Sequence, residues 1–168
     1  MQPSLTEADE AFLSRAIEIS RNALEDEGKT PFGALVVVAD EIVGEGTSSV
    51  VELRDPTAHA EVMALRRAGS FLGRHLMADA VMYASSEPCP MCLVACYWAR
   101  IPRLVYGASS HDVGTYGFED LLLYRELATE ALHRSLHVVG ATGELHEGAK
   151  DVLRSWADNL PEPVVPKL

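Results

Sequence analysis

The chain has 168 residues, 48% of them hydrophobic, about what one globular domain needs to bury a single core. With 14 Lys and Arg against 25 Asp and Glu, and the Arg residues scattered, the formal charge of -11 argues against nucleic acid or an anionic membrane as a partner. The opening stretch Met1 to Glu10 is polar and acidic, unlike a secretory leader, and no apolar run approaches membrane-spanning length, so the expected compartment is the cytoplasm.

From Leu5 to Glu27 the apolar residues Phe12, Leu13, Ala16, Ile17, Ala23 and Leu24 recur at helical spacing, and Gly28 supplies a stop. The runs Ala34 to Ala39 and Ile42 to Thr47, joined at Asp40-Glu41, predict two strands of a hairpin. Asp55-Pro56-Thr57 then punctuates the chain before a second helix, Ala58 to Leu72, whose apolar stripe is Val62, Leu65 and Ala68.

Ala80 to Ser85 reads as a buried strand, Cys89 to Ala99 as a helix opened by Pro88 and Pro90, and Arg103 to Ala108 as a further strand. A helix is expected at Phe118 to Ala131, a short strand at Leu136 to Val139 and a last helix at Glu147 to Asn159. The pattern predicts a layered α/β domain: a three-layer αβα sandwich with five strands and helices on both faces. One domain is expected over residues 1–160, followed by a Pro-rich tail, residues 161–168.

Two short motifs carry the chemistry, each just after a turn and at the start of a predicted helix. They are His59-Ala60-Glu61 and Pro88-Cys89-Pro90-Met91-Cys92. Two thiolates and a neutral imidazole offer Zn²⁺ three ligands and leave a fourth tetrahedral position open, the arrangement of catalytic rather than structural zinc. Cysteines at i and i+3 share one side of a helical turn, and the helix N-terminus favours their thiolate form. Zinc in an open site lowers the pKa of its water from 15.7 to about 7, which supplies a nucleophile at neutral pH.

Glu61, two residues from His59, is placed to take that water's proton and return it to the substrate. A structural site would need a fourth ligand, and the nearest candidate, Cys96, falls one turn beyond Cys92 on the face expected to be core. His75, His111, His133, His137 and His146 show no ligand spacing. Three cysteines confined to residues 89–96 suit a reducing compartment better than a disulfide framework.

H-x-E followed by P-C-x-x-C is the signature of zinc deaminases that act on nucleobases. The chain resembles the cytidine-deaminase-like superfamily over about Leu5 to Leu127. Its DPTAHAE (Asp55 to Glu61), EPCPMCL (Glu87 to Leu93), YWAR (Tyr97 to Arg100) and GFED (Gly117 to Asp120) segments are most similar to the bacterial guanine deaminases.

The resemblance implies a mixed sheet and one Zn²⁺ per chain on His59, Cys89 and Cys92, with Glu61 as proton shuttle and Asp120 as a second acid. It implies a heterocyclic base bound among Phe32, Ala60 and Trp98, and a homodimer that exchanges C-terminal segments. Two positions depart from the pattern. Ser48 stands where such enzymes carry an Asn that binds the base, and the tail Val164 to Leu168 lacks their site-closing Tyr. A hydroxyl cannot present the two-headed edge of an amide, so guanine and other aminated rings, a pterin, a triazine or a nucleoside among them, stay open as substrates. The tRNA adenosine deaminases share both motifs, but the acidic charge argues against them. A zinc-containing binding domain is the non-enzymatic alternative.

Overall fold

The computed structural model describes residues 4–163. The chain divides into two compact units, one ending at Ala128 and the next beginning at Thr129. Residues 164–168, and with them most of the Pro-rich tail expected to be exchanged, lie outside the described residues.

In the first unit, α1 (Glu7–Asn22) is closed at its N-terminus by a capping box: Thr6 Oγ1 accepts from the Asp9 N–H while the Asp9 carboxylate accepts from the Thr6 N–H. The expected helix to Glu27 stops earlier and continues as a 3₁₀ turn over Ala23–Glu25. Strands β1 (Gly33–Val38) and β2 (Glu41–Thr47) form the hairpin. Its two turn residues are Ala39 and Asp40, one position earlier than expected, both at positive φ as a tight hairpin turn requires.

The chain continues through the short α2 (Val50–Leu53), α3 (Ala60–Leu72), β3 (Ala80–Ser86), α4 (Pro90–Trp98), β4 (Arg103–Ala108), α5 (Ser110–Thr115) and α6 (Asp120–Ala128). The sheet order is β2-β1-β3-β4; β1 is antiparallel to β2 and β3, and β3 is parallel to β4.

Alternation along β1 builds the three layers. Leu35 and Val37 face α1 and pack with Ala16 and Tyr83, while Ala34 and Val36 face the opposite layer and pack with Ala60, Ala64 and Ala68 of α3. Cys96 lies in that second core, and burial pushes its thiol up to about 12. Helix α3 lies unusually low on β2. A Cβ on Gly46 would overlap the Ala60 carbonyl, and one on Gly44 would stand 2.5 Å from the Ala64 carbonyl.

The sheet among the described residues has four strands, not five. Residues 136–139 carry no regular structure, and Leu136, Val138 and Val139 are exposed. The β-branched pair gave the strand signal, but a strand is stable only against a partner edge. The second unit instead contains a 3₁₀ turn (Ala131–His133) and α7 (Gly143–Asp158), which begins four residues before the expected start at Glu147.

Asp9 joins α1 to the sheet. Besides its capping role it accepts from Tyr83 Oη at 2.8 Å and from both terminal nitrogens of Arg103 at 2.5 and 2.7 Å, while being almost wholly buried. The Arg103 guanidinium holds this carboxyl well below the usual carboxylate range, against the opposing effect of burial. A depressed folded-state pKa stabilises the fold above the ordinary value of 3.8, and that contribution is lost as pH falls below it. Asp9→Asn should therefore cost about 3 kcal/mol at pH 7. Its deficit relative to wild type should shrink as pH is lowered below about 4 in denaturant titrations. A deficit that does not change with pH would mean that the charge of Asp9 contributes nothing.

Candidate active site

Two helix N-termini converge to make the site. Asp55 Oδ1 accepts from the Thr57 N–H at 2.8 Å and from its hydroxyl at 2.6 Å, and Ser49 N–H donates to the Ala58 carbonyl at 2.9 Å. This turn delivers His59 to the N-cap of α3 in extended conformation, with no capping bond from its side chain. Cys89 is likewise the extended N-cap of α4, free of a capping bond and followed by Pro90 at N1. Both ligands thus sit where a side chain normally caps the helix, and both are left available.

The ligand atoms of His59, Cys89 and Cys92 lie within 4.8 Å of one another, and Cys89 Sγ is 3.6 Å from His59 Nδ1. Zinc bonds of about 2.0–2.3 Å in a tetrahedron place ligands roughly 3.3–3.8 Å apart, a range that includes the His59–Cys89 distance, and the donor set suits that ion. Among the described residues no other group of three or more His, Cys, Asp or Glu has this geometry.

The Cys92 thiol, by hydrogen bonding, holds Cys89 well below the ordinary thiol range, with His59 adding to the effect. The same contact with the Cys89 thiolate raises His59. The partial positive charge of two helix N-termini favours this anionic centre.

Beside the ligands lies a cavity of about 220 Å³. His59, Ala60, Glu61, Cys89 and Asp120 line it on the ligand side, and Phe32 and Phe118, stacked edge to face with centroids 4.8 Å apart, contribute aromatic surface. Ser48 is buried at 5% exposure and also lines it. Burial pushes Glu61 above the ordinary carboxylate range and does the same to Asp120, with the Cys89 thiolate adding to the rise at Asp120. Two carboxyls that hold protons more readily than usual, next to a metal-ligand set, are equipped to receive and return them.

Of the expected site residues, Trp98 alone is placed elsewhere. It is the last residue of α4, about 9 Å along the axis from Cys92, 67% exposed, and it lines a shallow groove with Val62, Leu65 and His75. Cys92 is buried within the ligand group, not on the cavity wall. Sequence reasoning did not single out Phe118, Glu87, Thr30, Val50 and Val51, which also line the cavity. Phe118 and Glu87 stand inside the GFED and EPCP segments, so neighbourhood in a motif was the available signal.

An open His-Cys-Cys set, a buried carboxyl two residues from the His, and an α/β/α frame define a hydrolytic metal enzyme. Residues 6–108 match the cytidine and deoxycytidylate deaminase zinc-binding region. The guanine deaminase of Bacillus subtilis is 38% identical over 149 residues, 89% of this chain and 96% of that protein. A crystal structure of guanine deaminase from the same organism superposes with a TM-score of 0.84 at 36% identity, covering 95% of this chain and all of the other. The tRNA-specific adenosine deaminase of Haemophilus influenzae is 39% identical over 113 residues, 67% of this chain and 65% of its own. The chain belongs to the cytidine and deoxycytidylate deaminase family, and is a zinc-dependent aminohydrolase.

Glu61→Gln should keep the zinc content of the wild type and lose about 10²–10⁴-fold in kcat, the range of a lost general acid–base. Cys92→Ser should lose the metal itself. Metal analysis beside ammonia release separates the two, and an active Glu61→Gln enzyme would exclude Glu61 as the proton carrier.

Proposed function

We propose that this enzyme removes the amino group of guanine or a closely similar ring, with one zinc ion per chain. The observation that carries the reading is the cavity itself: aromatic surface from Phe32 and Phe118 meets the metal ligands and two proton-carrying acids in a space of about 220 Å³. The likeness to the Bacillus subtilis guanine deaminase over nearly the whole of both chains supports the choice of ring.

Bound at His59, Cys89 and Cys92, zinc would activate water at neutral pH. Glu61 takes the proton released by that water and passes it to a ring nitrogen of the substrate. The Ala60 N–H, in the first turn of α3, has no intrahelical acceptor and is available to a ring carbonyl. Asp120, also lining the cavity, supplies a second acid for the departing ammonia. Phe32 and Phe118 hold the flat ring and keep bulk water off it.

Ser48 favours a second reading, a different aminated ring. A hydroxyl donates and accepts at a single oxygen and cannot present the paired donor-and-acceptor edge of an amide, and a site that loses one substrate hydrogen bond can change its preference by large factors. Ammonia release from the zinc-loaded protein should be fastest with guanine among guanine, guanosine, adenine, cytosine, a pterin and an aminotriazine. Ser48→Asn should raise the ratio of kcat/KM for guanine over the other rings. Faster release from another ring selects the second reading, and none from any of them would leave a binding domain.

Nucleic acid is not a partner in this reading. The formal charge of -11 opposes a polyanion, and tRNA should give no shift in a low-salt gel. No helix among the described residues is long and apolar enough to cross a membrane, and free thiols at the metal site suit the cytoplasm.

A homodimer is the assembly that best covers the remaining apolar surface. Leu145, Val152, Leu153 and Trp156 make one exposed stripe along α7, and Val94, Tyr97 and Trp98 are exposed on α4. Light scattering should return about twice the 18.2 kDa of one chain; a monomer at micromolar concentration would rule this out.

A further inference from the structure

Helix α6 presents two residues to the loop that carries Cys89. Asp120, its first residue, lines the cavity, and Tyr124, one turn further on, donates its hydroxyl to the Pro88 carbonyl at 2.7 Å. Residues four apart share a helix face. Pro88 is fully buried and immediately precedes the ligand. The same loop is also held from β4 and α5. The Glu87 N–H donates to the Ala108 carbonyl, and Glu87 Oε2 accepts from the Ser110 N–H, each at 2.7 Å.

Asp120 shares the cavity with Glu61, Glu87, Cys89 and His59. A neutral hydroxyl bonded to a neutral carbonyl ties the start of α6 to the loop at Cys89 without adding a charge to that cavity. Burial, followed by the acidic groups around it, pushes Tyr124 up to about 12, so its hydroxyl keeps its proton throughout the working range.

We propose that Tyr124 is a positioning residue, whose hydrogen bond to the Pro88 carbonyl holds Asp120 in the cavity within reach of the reacting ring. The inference rests on Asp120 serving as the second acid. Losing one hydrogen bond of this kind should lower kcat about tenfold.

The test uses the zinc-loaded full chain as wild type, Tyr124→Phe, Asp120→Asn and the double variant, assayed by ammonia release from guanine and by hydrogen–deuterium exchange. Tyr124→Phe should keep its zinc, lower kcat about tenfold with KM changed less than about twofold, and speed exchange in residues 120–128 but not in α3 or α4. In the Asp120→Asn background it should cost nothing further, since the hydroxyl then has no acid to hold.

Unchanged kcat and exchange in Tyr124→Phe, loss of its zinc, or an undiminished loss on top of Asp120→Asn would each overturn the proposal. Full activity of Asp120→Asn would overturn it by removing its premise. The exchange measurement needs no substrate, so it distinguishes a failure of this proposal from a failure of the guanine reading.

Discussion

Helix α3 rests on β2 with backbone against backbone, and the position of the active site depends on that contact. Gly44 and Gly46 leave no side chain on the face of β2 that meets α3, and Ala60, Ala64 and Ala68 answer them at four-residue intervals along the helix. A Cβ on Gly46 would also come within 2.6 Å of the Ala64 N–H, so the helix cannot lie at this depth over any larger residue. The first turn of α3 carries His59, Ala60 and Glu61. Their distance from the sheet, and so from Cys89 three residues beyond β3, is set by a seam of small residues and not by any bond among the site residues themselves.

A carboxyl is buried here beside two thiols. A charge isolated in a packed interior costs several kcal/mol, so an anionic Cys89 would not persist without compensation. Here the compensation is supplied by backbone: His59 and Cys89 are both N-caps, so two helix N-termini point their unpaired N–H groups into the site. A cation in the ligand set would add to the same effect. The rise of Glu61 under burial then becomes useful, because a carboxyl poised to take a proton is what hydrolytic deamination asks of it.

The grouping of His59, Cys89 and Cys92 with Glu61 beside them was legible in the sequence because it rests on residue type and short-range spacing, both of which survive in a string of letters. The four paired strands and helices α1, α3, α4 and α6 were legible through their periodicity, while the short α2 and α5 were not expected. Trp98, expected at the base pocket, lies off the described cavity: six residues from Cys92 carry it to the far end of α4, which membership of the YWAR segment does not reveal. Phe118 and Glu87 escaped notice because a cavity wall is assembled from loops distant in sequence. The Asp9–Arg103–Tyr83 cluster spans 94 residues and left no local signal at all. At residues 136–139 the β-branched composition was real, but the partner edge that turns composition into a strand is absent from the described sheet.

The cavity separates the reaction from the choice of ring. The residues that would bind metal, and Glu61 beside them, stand at the first turns of α3 and α4, and Asp120 opens α6. Ser48, Val50 and Val51 belong to the segment after β2, where Ser48 N–H donates weakly to the Phe32 carbonyl at 3.4 Å and Ser49 N–H meets the Ala58 carbonyl. A side chain there can change without moving the ligands, because it is joined to α3 through backbone bonds that any residue but proline can make. One metal site can therefore serve different aminated rings across a family. Ser48 of this chain stands in that segment, apart from the helix ends that carry His59, Glu61, Cys89 and Cys92, so what lines the cavity there can vary while those ends stay in place.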